Sequence, residues 1–236
     1  MANFLLIHGA LNGAWCWRDL IPALRQLGHD ARAIDLPGHG ADTTPYQQVT
    51  LDLYADAILQ ALDSPAIVVA HSMGGFPATL AAERAPHQFQ RLIYLCAYVP
   101  QPGKSLVDLR KEGPAQPLRP AIRMTDDKLG WTVDPARARD IFFHDCPKGT
   151  TDFALQHLCI QATQPSAVAV RTGSNIASLQ RDYIRCLDDR TIPPPLQQDM
   201  TRDWPASRVH SFDSGHSPFF SHPARLAQLL ADIATS

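Results

Sequence analysis

Ala66-Ile67-Val68-Val69-Ala70 is a continuous apolar run that leads straight into His71-Ser72-Met73-Gly74-Gly75. Such a run, closed by small residues, reads as a strand buried on both faces. A serine at its end, with small residues two places before and two after, predicts a tight strand-to-helix turn that exposes the hydroxyl. Those flanking places hold Ala70 and Gly74. Glycine is usual at both, and Ala70 departs from that by one methyl group. Ser72 is therefore a candidate nucleophile. The backbone N–H of Met73, at the start of the following helix, is a candidate donor to an oxyanion, and the helix dipole favours negative charge there.

A serine hydroxyl is a poor nucleophile at neutral pH and needs a base, itself held by a third group. Of the ten histidines, only His216 sits on a glycine-bearing loop, Asp213-Ser214-Gly215-His216, directly after a late strand and before the last helix. The acid should lie on the loop after the preceding strand, where Asp188 and Asp189 both stand. Asp213 is too close to His216 along the same loop to hold the far nitrogen of its ring, and suits a turn better. A second oxyanion donor is expected from the loop after the first strand, His8-Gly9-Ala10, where small residues let backbone approach a substrate. The N–H of Ala10 is the candidate, with His8 tying the loop down. Gly9 and Gly13 lack the spacing of a dinucleotide-binding loop, and Trp15 and Trp17 would crowd a pyrophosphate. With no phosphate loop or metal-ligand cluster in the sequence, neither cofactor nor metal is expected.

These residues need a scaffold that brings strand ends together. Phe4-Leu5-Leu6-Ile7, Ala31 to Leu36, Ala66 to Ala70 and Arg91 to Val99 read as strands, separated by helical patterns over Trp17 to Leu27, Val49 to Leu62 and Met73 to Arg84. Connections of that length cannot be hairpins and imply a parallel sheet covered by helices on both faces. The rhythm breaks over 101–180, which is rich in Pro and charge, with helical patches at Pro135 to Phe143 and Thr151 to Gln161 and no obvious strand series. It resumes with strands at Tyr183 to Leu187 and Arg208 to Phe212 and a final helix from Pro223 to Ile233. The expected architecture is α/β: a core of 1–100 and 181–236 with about six mostly parallel strands, and a mainly helical cap inserted at 101–180.

The bulk properties agree. A length of 236 residues suits one catalytic domain with insertions, and 45% hydrophobic with 19% charged residues reads as globular. The formal net charge of -2, without a basic cluster, predicts no nucleic-acid or anionic-membrane partner and leaves a small molecule, with a homodimer open. Five widely spaced cysteines with no C-x-x-C pair suggest reduced thiols. No basic leader or long apolar run opens the chain, so a cytoplasmic location is expected.

Assembled, the sequence resembles the plant methylesterase and hydroxynitrile lyase branch of the α/β-hydrolases, which includes salicylate-binding methylesterases and many small bacterial esterases. The resemblance is carried by Ile7 to Trp17, Asp35-Leu36-Pro37-Gly38-His39-Gly40, His71 to Gly75, Asp189-Arg190-Thr191-Ile192-Pro193 and Gly215-His216. It implies that Asp189, rather than Asp188, is the acid. The lyases typically carry threonine at the place of Gly9 and lysine at the place of Ser217. A neutral hydroxyl cannot offset a departing anion, so the resemblance points to ester hydrolysis through an acyl-enzyme, the substrate being small and aromatic or a methyl ester. Trp131, Phe142, Phe143 and Leu158 from the cap, with Gly9, Leu11 and Ser217 from the core, are the candidate pocket lining, although packing inside the cap explains the cap residues equally well. Lyase chemistry is the alternative. A hydrolase-fold receptor with little turnover is a third reading, against which an intact triad counts.

Overall fold

The computed structural model describes residues 1–236 and is built on a six-stranded sheet in which every pairing is parallel. The chain lays down β1 (Asn3–Ile7), α1 (Leu20–Gln26), β2 (Asp30–Ile34), α2 (Leu51–Ala61), β3 (Ala66–His71), α3 (Gly75–Arg84) and β4 (Phe89–Leu95) in strict alternation. Helix α2 starts where Thr50 accepts a hydrogen bond from the Leu53 N–H, and it buries Leu51, Tyr54, Ala55 and Ile58 on one stripe. The expected strand to Val99 stops at Leu95, because the chain turns at Cys96, whose φ is 35°.

Between β4 and the return to the sheet lie α4 (Leu106–Glu112), β5 (Ile122–Met124), β6 (Gly130–Val133), α5 (Pro135–Phe142), α6 (Thr150–Leu155), β7 (Gln161–Ala162), α7 (Gln164–Ala167) and α8 (Ser174–Ser178). Helices dominate this segment, but β5, β6 and β7 form a small antiparallel sheet that the sequence pattern does not reveal. Strands of two to four residues are too short to display a period of two. The chain then adds β8 (Arg181–Cys186) beside β4, followed by α9 (Pro194–Met200), β9 (Val209–Phe212), α10 (Pro218–Ser221) and α11 (Pro223–Thr235).

Alternate side chains of the strands feed two cores. Leu5, Ile7, Val68, Ala70, Leu92 and Tyr94 face α2 and α3. Phe4, Leu6, Ile67, Val69, Ile93 and Leu95 face α1 and α11. A strand buried on both faces has no polar side to alternate with, which is why these strands read as unbroken apolar runs. The strand order β2-β1-β3-β4-β8-β9 reverses direction at β1, and a crevice opens there at the carboxyl ends of β1 and β3. No helix is long and apolar enough to cross a membrane.

Candidate active site

Ser72 occupies that crevice. Its φ is +53°, a left-handed conformation that L side chains adopt at a cost, held here because β3 must turn at once into the short helical turn that precedes α3. The glycines after it make the turn possible. A Cβ on Gly74 would stand 2.7 Å from the His8 carbonyl oxygen, and one on Gly75 would stand 2.2 Å from that of Tyr98. Neither contact is tolerable, so the elbow can pack against the neighbouring strand ends only with glycine at both positions.

The loops after β8 and β9 bring Asp189 and His216 to the same place. His216 Nε2 lies 3.1 Å from Ser72 Oγ, and His216 Nδ1 lies 2.8 Å from Asp189 Oδ2. All three side chains are buried. Asp189 accepts further bonds from the Thr191 and Ile192 N–H groups at 2.7 and 2.9 Å and from Gln197 Nε2 at 3.1 Å. The two rival aspartates stand elsewhere: Asp188 is exposed and bonded to His144 Nε2 at 2.9 Å, and Asp213 is exposed. Ala10, Ser72 and Met73 line one cavity, so the candidate oxyanion donors share a space with the serine.

Other residues support this arrangement, and of them the sequence singles out only His8. His71 donates from Nε2 to the His216 carbonyl at 2.9 Å, and the Cys96 thiol donates to the same oxygen at 3.6 Å. Burial holds His71 well below the usual histidine range and pushes the Cys96 thiol up, so both stay neutral donors. His8 is held neutral in the same way; its Nδ1 donates to the Gly9 carbonyl at 2.8 Å and its Nε2 accepts from the Leu36 N–H at 3.1 Å, fastening the loop after β1. From β7, Gln161 Oε1 accepts from the Leu11 N–H at 3.2 Å, in the same loop. His71, Cys96 and His216 could offer a metal three donor atoms within 4.8 Å of one another. Hydrogen bonds already occupy these groups, apart from His71 Nδ1, which is buried without a partner.

The cavity above Ser72 has a volume of about 790 Å³ including its open mouth and is walled largely by the inserted segment, with Leu106, Leu118, Ile122, Met124 and Trp131 among its apolar residues. Of the expected lining residues, Trp131 is present. Gly9 lies beneath the serine. Leu11 packs in the small core that holds Trp131, Val133 and Ile141, with Leu158 at its edge. Phe142 sits 6.0 Å from the His216 ring, Phe143 packs on Phe220, and Ser217 is buried at the start of α10. Leu11, Trp131 and Leu158 thus serve the small core of the inserted segment, Phe143 is spent in the core beneath α1 and α11, and the α4 face, which the sequence does not single out, turns toward the cavity.

A parallel sheet with a strained serine after its third strand and an aspartate–histidine pair facing it is the arrangement of the α/β hydrolases. The chain belongs to the alpha/beta hydrolase family, whose profile matches residues 4–229. It is an enzyme of the hydrolase class. It is 30% identical over 249 residues to the pyrethroid hydrolase of Sphingobium wenxiniae, spanning 99% of this chain and 88% of that one. It is 28% identical over 256 residues to methylesterase 7 of Arabidopsis thaliana, spanning 98% and 96%. Among solved structures, a pyrethroid hydrolase from Sphingobium faniae superposes with a TM-score of 0.87 at 28% identity, covering 100% of this chain and 98% of that chain. A methylesterase from Arabidopsis, at 24% identity and a TM-score of 0.87, covers 100% and 99% and supports the fold alone.

Proposed function

We propose that this protein is a serine carboxylesterase acting on small esters, with Ser72 as nucleophile, His216 as base and Asp189 as the acid that orients it. The observation that carries the reading is the unbroken relay from Asp189 through His216 to a strained Ser72, at 2.8 and 3.1 Å, opening on an apolar cavity. His216 Nε2 takes the Ser72 proton as Oγ attacks the ester carbonyl carbon. The N–H groups of Ala10 and Met73 hold the oxyanion, and the buried Asp189 carboxylate stabilises the imidazolium. Collapse expels the alcohol, which receives that proton from Nε2. Water activated by His216 then attacks the acyl-enzyme and releases the acid. The apolar cavity and the methylesterase names of the relatives favour a methyl or small aromatic ester.

Position 9 supports hydrolysis over cyanohydrin cleavage. A Cβ there would lie 2.7 Å from His71 Nδ1 and 2.8 Å from Ser72 Cβ, so the threonine of the lyases has no room. The test is a screen of small esters with the wild type beside Ser72→Ala. Turnover is expected to fall by about 10⁴ to 10⁶-fold with the circular dichroism spectrum unchanged. A mutant that keeps its activity removes the mechanism.

A further inference from the structure

The cavity wall contains one charged residue, Arg110, among its apolar neighbours. It stands on α4 one turn after Leu106, on the helix face turned to the cavity. Its Nε is buried and has no hydrogen-bond partner, and it takes part in none of the protein's ion pairs. The acids beside it on the helix are already engaged: Asp108 closes the capping box with Ser105, and Glu112 accepts from Lys104 Nζ at 2.7 Å. Its charge is felt across the wall. Burial pushes the Tyr98 hydroxyl up, and the guanidinium pulls against that shift. The side chain is half-exposed: its Nε is shielded, and no acceptor of the protein engages its terminal nitrogens, which leaves that end of the guanidinium free to meet a ligand anion in the cavity. The planar guanidinium fork matches a carboxylate in particular.

We propose that Arg110 recognises an anion in the substrate pocket, and that the preferred substrates are esters carrying a free carboxylate, the half-esters of dicarboxylic acids being the simplest class. This rests on reading Ser72 as the nucleophile of an ester hydrolase. The test compares kcat/KM for monomethyl adipate and for neutral methyl heptanoate, in the wild type and in Arg110→Met and Arg110→Lys. The wild type should favour the half-ester. The ratio of the two kcat/KM values should fall at least about ten-fold in Arg110→Met, the size of one charge-assisted hydrogen bond, and less in Arg110→Lys. Added salt should weaken the wild-type preference, and adipate should inhibit the wild type more strongly than Arg110→Met. Serine-dependent hydrolysis of both esters with a ratio that Arg110→Met leaves alone overturns the anion site and spares the esterase. Failure of the wild type on every ester overturns both.

Discussion

Two aspartate–histidine hydrogen bonds flank β8, one at each end. Near its start Asp182 Oδ1 accepts from His210 Nε2 at 2.9 Å, and beyond its end Asp189 Oδ2 accepts from His216 Nδ1 at 2.8 Å. Both carboxylates are buried, so residue type and depth do not separate them. Their neighbours do. Asp182 also meets Arg91 at 3.2 Å and Arg208 at 3.5 Å, and Arg91 in turn reaches the Ile233 and Ser236 carbonyls, fastening the end of α11 to the sheet. Asp189 meets no arginine or lysine, only neutral N–H donors and His216. Its charge therefore remains available to stabilise an imidazolium, and the other nitrogen of His216 faces a serine in a cavity rather than solvent. What sets the Asp189–His216 pair apart is that its charge is left uncompensated and its far nitrogen meets the hydroxyl of a strained serine.

That contrast fixes opposite outcomes for the same substitution at the two ends. In Asp189→Asn the amide oxygen can keep the Thr191 and Ile192 N–H groups while the amide N–H faces His216 Nδ1. The imidazole is then driven to the tautomer with its proton on Nε2, which cannot accept one from Ser72. We expect kcat to fall by about 10⁴-fold, with the urea midpoint lowered only by the one bond lost from Gln197 Nε2, about 1 kcal/mol. Asp182→Asn strips the buried Arg91 of its counter-ion and should cost about 3 kcal/mol of stability while kcat per folded molecule changes less than two-fold. Parallel urea titrations and ester assays on both variants check this. Equal kinetic damage from both would erase the distinction.

The part legible in the sequence was the part that local geometry dictates. Ser72 stood out because a buried strand, a sharp turn and a helix leave few residue types free at Ala70, Gly74 and Gly75. The choice between Asp188 and Asp189 was not local: neighbours in sequence, one is exposed against His144 and the other is buried under His216, and only the family resemblance chose between them. His71 and Gln161 were missed because their partners lie 145 and 150 residues away along the chain. Of the wall that the inserted segment supplies, the sequence singles out only Trp131, for a related reason. Apolar residues of the inserted segment look alike in sequence whether they fill its own core, as Ile141 does, or face the cavity, as Met124 does.

The serine end should also answer acid. Burial lowers His71, next to the serine, and His8 and His39, which pack on one another, below the usual histidine range. Below about pH 6.5 the unfolded chain binds protons at these positions that the folded chain refuses, so unfolding free energy must drop as pH falls toward the folded values. The expected slope approaches about 1.4 kcal/mol per pH unit for each histidine. His71→Gln, whose amide N–H can still donate to the His216 carbonyl, should remove about one proton from that slope. Urea unfolding between pH 7 and pH 5 measures it, and a stability flat across that window contradicts the neutral assignment.

The smallest expected effect concerns the inserted segment, where sequence was least informative. Leu11 is held at φ +66°, and its N–H has Gln161 Oε1 as its acceptor at 3.2 Å, while Gln161 Nε2 donates to the Tyr54 hydroxyl at 3.2 Å. A residue of β7 thus fastens the backbone next to Ala10, the proposed oxyanion donor. Gln161→Met keeps the volume and removes the acceptor. An oxyanion donor acts on the transition state, so its misplacement should lower kcat about ten-fold with KM nearly unchanged. A mainly structural glutamine predicts instead a loss of stability of about 1–3 kcal/mol with kcat per folded molecule intact. The kinetic split between kcat and KM therefore decides whether the inserted segment only covers the site or also shapes its oxyanion hole.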